Sequence, residues 1–148
     1  ASFVRLLELS PRHRDGMRSL ALAHEGAGDT GAAIAVYERL LQALPDDQAA
    51  YYNLGNLHWR QEAYDKAIVA YEAALTLDPH DEDAMHNLAL SYIVKEDLAK
   101  ALPLLRKLVE LVPENAMLWR ELGRIHLLRG ELVESEKAFA RETALSPE

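Results

Sequence analysis

The chain has 148 residues, 49% of them hydrophobic and 7% aromatic, and no cysteine; that is enough for one packed domain and excludes a disulfide framework, a thiolate nucleophile and a cysteine zinc site. Asp and Glu number 24 against 16 Lys and Arg, for a net charge of -8, which argues against a nucleic-acid backbone as the main ligand, because that contact is dominated by basic side chains. No apolar run approaches the roughly 18 residues of a membrane span, and the opening ASFVRLLELSP has neither a Met nor a signal-peptide pattern, so the chain reads as a soluble piece of a longer protein whose compartment stays open, with a slight preference for the cytoplasm.

Five of the six prolines set the frame: Pro11, Pro45, Pro79, Pro113 and Pro147 follow one another at intervals of 34 residues. The stretch Gln48 to Asp81 shows what one interval contains. Tyr51, Leu54, Gly55 and His58 fall at the i, i+3, i+4, i+7 spacing of one helix face, and Ala67, Ile68, Tyr71, Ala74 and Leu75 repeat that spacing after a short break. This predicts a helical hairpin with two apolar stripes. A lone hairpin cannot bury both, so neighbours of the same kind are required.

In chain order, residues 1–13 align with the end of such a unit, Phe3 taking the place of Tyr71, Leu9 that of Leu77 and Pro11 that of Pro79; they are expected to form the second helix of a truncated repeat. Residues 14–47, 48–81, 82–115 and 116–148 then form repeats one to four without insertion or deletion. The small place of Gly55 returns as Ala21, Ala89 and Gly123, and the large place of Tyr71 as Tyr37, Leu105 and Phe139, a size alternation that lets neighbouring helices interlock. Asp47, Asp81 and Asn115 precede the first helices as expected N-caps. Pro103 falls inside a second helix starting near Asp97, where a kink is expected, and Glu136 and Glu142 replace Ile68 and Ala74 of the reference unit, which suits an exposed end.

Tyr51, Leu54-Gly55, His58, Ala67, Tyr71, Ala74 and Pro79 together resemble the tetratricopeptide repeat, with His58 standing where that pattern usually has Tyr. The resemblance covers essentially the whole chain. It implies an all-α fold: a right-handed superhelical solenoid of antiparallel helical hairpins, one domain over residues 1–148, with nine helices, first helices inside and second helices outside.

Little here suggests catalysis. His24, His58 and His126 share one repeat place, but equivalent residues on stacked helices lie about 8–10 Å apart, too far to share a metal; they read as polar aromatics packed within hairpins. The cluster Asp81, Glu82, Asp83 lacks the Gly and distal Glu of a calcium loop. No triad, phosphate-binding glycine loop or metal box is present, so neither an enzyme activity nor a cofactor is expected.

The first helices carry a second stripe, and in the family that stripe lines the concave groove where partners bind. The candidate groove residues are Arg18 from the first copy; Tyr52, Asn53, Asn56, Trp59 and Arg60 from the second; His86, Asn87 and Leu90 from the third; and Arg120 and Arg124 from the fourth. Asn53 and Asn87, at one repeat place, can offer donor and acceptor to an extended peptide backbone, and Trp59 is a candidate anchor. The expected function is therefore binding of a protein or peptide segment within a larger protein or assembly. Two alternatives stay open: a regulatory or substrate-recruiting arm of an enzyme such as a glycosyltransferase, whose catalytic domain lies outside this segment, and a scaffold that self-associates weakly through its ends.

Overall fold

The computed structural model describes residues 11–146. Among them are eight α-helices and no strand: α1 (Pro11–Gly26), α2 (Thr30–Ala43), α3 (Gln48–Arg60), α4 (Tyr64–Leu77), α5 (Glu82–Val94), α6 (Leu98–Leu111), α7 (Ala116–Leu128) and α8 (Leu132–Leu145). The expectation for residues 1–13 falls mostly outside the described residues; α1 begins at Pro11, whereas α3 begins at Gln48, the counterpart of Arg14 on the 34-residue period. The chain divides into two compact units, Ala1–Asp81 and Glu82–Glu148. In the first, α1 pairs with α2 and α3 with α4, and α2 packs on α3. In the second, α5 pairs with α6 and α7 with α8, and α6 packs on α7.

Local chemistry explains where the helices start. Asp29, Asp47 and Asp97 cap α2, α3 and α6 by accepting from the backbone N–H three residues on, at 3.0, 3.0 and 3.2 Å, and Asn115 caps α7 through Met117 N at 3.1 Å. Each satisfies a donor that the first helical turn leaves without a partner.

The turn inside each hairpin is equally regular. Gly28, Glu62, Glu96 and Gly130 lie at one repeat place and all have positive φ, at 77°, 59°, 59° and 74°. The residue after each returns its N–H to the carbonyl five residues back, as in Asp29 to His24 at 2.9 Å and Glu131 to His126 at 2.9 Å, the closure that ends helices in a left-handed residue. Glycine takes that conformation at no steric cost; Glu62 and Glu96 are held in it by the same closure, Ala63 to His58 at 2.9 Å and Asp97 to Tyr92 at 2.8 Å.

Within each hairpin a small residue on the first helix receives a large one from the second. A Cβ on Gly55 would lie 2.5 Å from Tyr71 Cε1, and one on Gly123 would lie 2.9 Å from Phe139 Cδ1. Around these contacts the first unit buries Ala33, Tyr37, Leu40, Leu54 and Leu57, and the second buries Met85, Leu88, Leu105, Leu108, Leu122 and Ile125. Leu20 is 50% exposed although its register partner Leu54 is only 9% exposed. At the other end, Ser135 and Ala138 are the buried residues of α8, Glu136 is exposed, and Glu142 reaches Arg120 at 3.6 Å. Helix α6 continues through Pro103, which is exposed and so removes one ladder bond on the solvent side.

Candidate functional site

In the first unit the stripe residues of α1 and α3 are already engaged. Arg18 pairs with Asp47, which is fully buried, caps α3 and also draws Arg14 Nε to 3.5 Å. This arginine fastens one hairpin to the start of the next helix. Arg60, at the C-terminal end of α3, pairs with Glu25 of α1 at 3.2 Å. At the place of the Arg14–Asp47 ion pair, Gln48 donates to Asp81 one repeat later.

The core tyrosines reach polar groups of the first helices. The Tyr71 hydroxyl donates to Asn56 Oδ1 at 2.7 Å, a reach that the missing side chain of Gly55 allows by letting the ring lie against α3. Where the small residue is Ala21, the Tyr37 hydroxyl takes Glu25 instead, at 3.4 Å. Burial first, and the Glu25 charge second, push the Tyr37 hydroxyl up to about 12, so it stays a neutral donor. Tyr52 packs against Tyr71 with ring centroids 6.1 Å apart, and Trp59 meets the edge of Tyr64 at 5.0 Å. Trp59 remains half-buried, with its indole braced by the first residue of α4.

In the second unit His86 of α5 and Glu121 of α7 meet at 2.9 Å. The hydrogen bond to Glu121 holds His86 above the usual imidazole range, against the opposing effect of burial. Asn87 and Leu90 are half-buried on α5, Arg120 pairs with Glu142 of α8, and Arg124 is exposed. Arg124 is the candidate cation that makes no ion pair among the described residues. Large apolar side chains stay uncovered beside these groups: Met117 and Leu127 are 50% and 51% exposed on α7. Among the candidates, Arg18 and Arg60 link α1 to α3 and its cap, and His86 links α5 to α7.

The histidine series behaves as separate groups. His58 and His126 are buried. His126 Nδ1 binds Glu131 at 2.5 Å; the place of Glu131 in the second copy is Ala63, and His58 Nδ1 accordingly has no partner. Burial pushes the His58 imidazole down, with Lys66 acting in the same direction. Among the described residues no group of three His, Cys, Asp or Glu side chains is arranged to hold a metal ion, and no described helix is long and apolar enough to cross a membrane.

A cleft of about 440 Å³ opens in the second unit between α6, α7 and α8, with Val109, Leu122 and Ala138 among its walls, Trp119 on one side, and Arg106 and Arg141 in its lining. The signal available was the basic residues Arg106, Lys137 and Arg141 on the last two second helices, at places filled by Glu72, Val69 and Ala73 in the reference unit.

A family model for the tetratricopeptide repeat matches residues 1–47, 18–82 and 86–148. Among solved structures, YrrB, described as a tetratricopeptide repeat protein with an unusual peptide-binding site, is 26% identical over 88% of this chain and 68% of its own, with a TM-score of 0.81. MamA residues 41 to the end from Desulfovibrio magneticus RS-1 is 25% identical over 96% of this chain and 82% of its own, with a TM-score of 0.79. A tetratricopeptide repeat protein from Parabacteroides merdae is 19% identical over 90% of this chain and 53% of its own, with a TM-score of 0.84, a likeness of fold. No curated protein matches the chain. With an all-α helical-repeat solenoid, a 34-residue period and family matches along its length, the chain belongs to the tetratricopeptide repeat family.

Proposed function

We propose that this protein–protein interaction module takes an extended segment of its partner on the first-helix faces, α1 and α3 in one unit and α5 and α7 in the other. The observation that carries this reading is the pairing of fixed polar groups with uncovered apolar ones. Asn56 of α3 is held by Tyr71, and His86 of α5 by Glu121 of α7, while Leu22 on α1 and Met117 and Leu127 on α7 are at least 50% exposed on the neighbouring first helices. Groups already immobilised lose little further freedom on binding, so more of the contact energy appears as affinity. The peptide-binding site ascribed to YrrB, a structural neighbour at 26% identity, agrees with a peptide as the ligand class.

In this reading Asn53 and Asn87 hold the partner's backbone at about 1 kcal/mol each, Trp59 and Leu90 take apolar side chains, and Arg124 supplies the uncommitted charge. Arg18, Arg60 and Arg120 act indirectly, by fixing the helices that carry the others. The test uses a peptide selected against the chain from a random-sequence library. Replacing Asn53 and Asn87 together by Ala weakens it about 30-fold, and Arg124→Glu with Leu127→Asp weakens it by more than tenfold, with helicity unchanged. Affinity unaltered in both variants removes the proposal.

A further inference from the structure

The cleft between α6, α7 and α8 lies away from the first-helix stripe and is built for a different ligand. Val109 on α6, Leu122 on α7 and Ala138 on α8, each at most 5% exposed, form its floor, with the half-buried Trp119 ring beside them. Trp119 is fixed at both ends: its indole Nε1 donates to Pro113 O at 2.8 Å, and the Arg141 guanidinium lies 5.8 Å from its ring centroid. A tryptophan held by a backbone carbonyl and capped by a guanidinium presents a rigid aromatic wall.

The charges around it are not balanced. Lys137 is paired with Glu134 at 2.8 Å; Arg106 and Arg141 share the cleft with Glu110 and Glu134, and neither arginine makes an ion pair among the described residues. In a chain whose net charge is -8, a lining of Arg106, Lys137 and Arg141 against Glu110 and Glu134, with two guanidiniums in no ion pair among the described residues, is a local excess of positive charge beside an aromatic wall. Guanidinium forks match carboxylate geometry, and the stems of both arginines extend the apolar wall. A volume of about 440 Å³ lies in the range of small-ligand pockets.

We infer that this cleft is a second binding site, for an acidic peptide segment of a partner protein: a carboxylate bound by Arg106 and Arg141, and the neighbouring aromatic or aliphatic side chain seated against Trp119, Val109 and Leu122. The site does not depend on the first-helix reading, and the two can be occupied together.

The probe is acetyl-Asp-Glu-Phe-Glu-amide, titrated into the isotope-labelled chain up to about 1 mM, a concentration that detects the weakest useful affinities. The chain has two tryptophans, so two indole N–H signals report separately on the two surfaces. The peptide shifts the Trp119 signal and leaves that of Trp59 in place. Its counterpart with Asn and Gln for the acidic residues binds about tenfold more weakly, the loss of roughly one charge-assisted contact. Both arginines are exposed, so the double variant Arg106→Glu/Arg141→Glu keeps the fold, checked by circular dichroism, and abolishes the shift. Arg141→Lys keeps part of the affinity, since it preserves charge but not the planar fork. A Trp119 signal that does not move up to the top concentration, equal affinity for the charge-reversed variant, or a shift of Trp59 instead overturns the inference.

Discussion

Replacing Gly55 by Ala perturbs the packing that joins core and surface in the second repeat. A Cβ there would lie 2.5 Å from Tyr71 Cε1, 2.7 Å from Cδ1 and 3.0 Å from Cζ, and Tyr71 is only 1% exposed, so the ring cannot swing out into water. Overpacking of this kind costs about 1–3 kcal/mol. Moving the ring also breaks its bond to Asn56, 2.7 Å long, worth about 1 kcal/mol. Against this stands a gain of about 1 kcal/mol in helix propensity. The net loss is about 2 kcal/mol, which lowers Tm by about 4–8 °C for a chain of this size. The third copy indicates the remedy, since it places Ala89 opposite Leu105. In Gly55→Ala/Tyr71→Leu the two changes are therefore non-additive, and a double-mutant cycle by urea denaturation recovers about 1–2 kcal/mol of the summed losses. A Gly55→Ala protein as stable as the parent, or strictly additive losses, would refute the reasoning.

Asp47→Ala removes a cap and leaves the Arg18 guanidinium half-buried without its carboxylate; a loss of about 2–3 kcal/mol is expected in thermal or urea denaturation. Glu62→Gly relieves a left-handed residue at the place where the first and last copies have Gly28 and Gly130, and stability rises by about 0.5–1 kcal/mol, whereas Glu62→Ala gives no such gain. The pairing with Glu121 raises the folded His86 pKa, with Asp83 acting in the same direction. Its contribution is therefore full below the unfolded imidazole value and is lost as pH rises through the higher folded value. Burial and Lys66 lower the folded His58 pKa while Glu38 opposes them, so that group contributes in the opposite sense, its stability being lost as pH falls. Unfolding measured across this range in Glu121→Gln loses the first slope and keeps the second.

The repeat was legible because its signals are local and recur: prolines at intervals of 34 residues, a small residue opposite a large one, and Asp or Asn ahead of helices. The candidate stripe was legible as a set of positions on a helix face. What each polar group does there was not, since the partner lies in another hairpin. Arg18 looked like a free groove cation, yet its carboxylate is Asp47, 29 residues on. Asn56 looked like a ligand for a peptide, yet it accepts from Tyr71 across the hairpin. The left-handed turn was hidden where Glu62 and Glu96 replace glycine. The cleft beside Trp119 was hidden for a further reason: three helices line it, and its charges break the repeat pattern rather than follow it.

Binding on the first-helix faces is tested most directly by mapping a library-selected peptide onto the backbone amide resonances of the labelled chain. Perturbations are expected to centre on the first helices α3, α5 and α7, at Tyr52, Asn53, Asn87, Leu90, Arg124 and Leu127. Perturbations confined to the second helices α2, α4, α6 and α8, with those six residues unmoved at saturation, would contradict it.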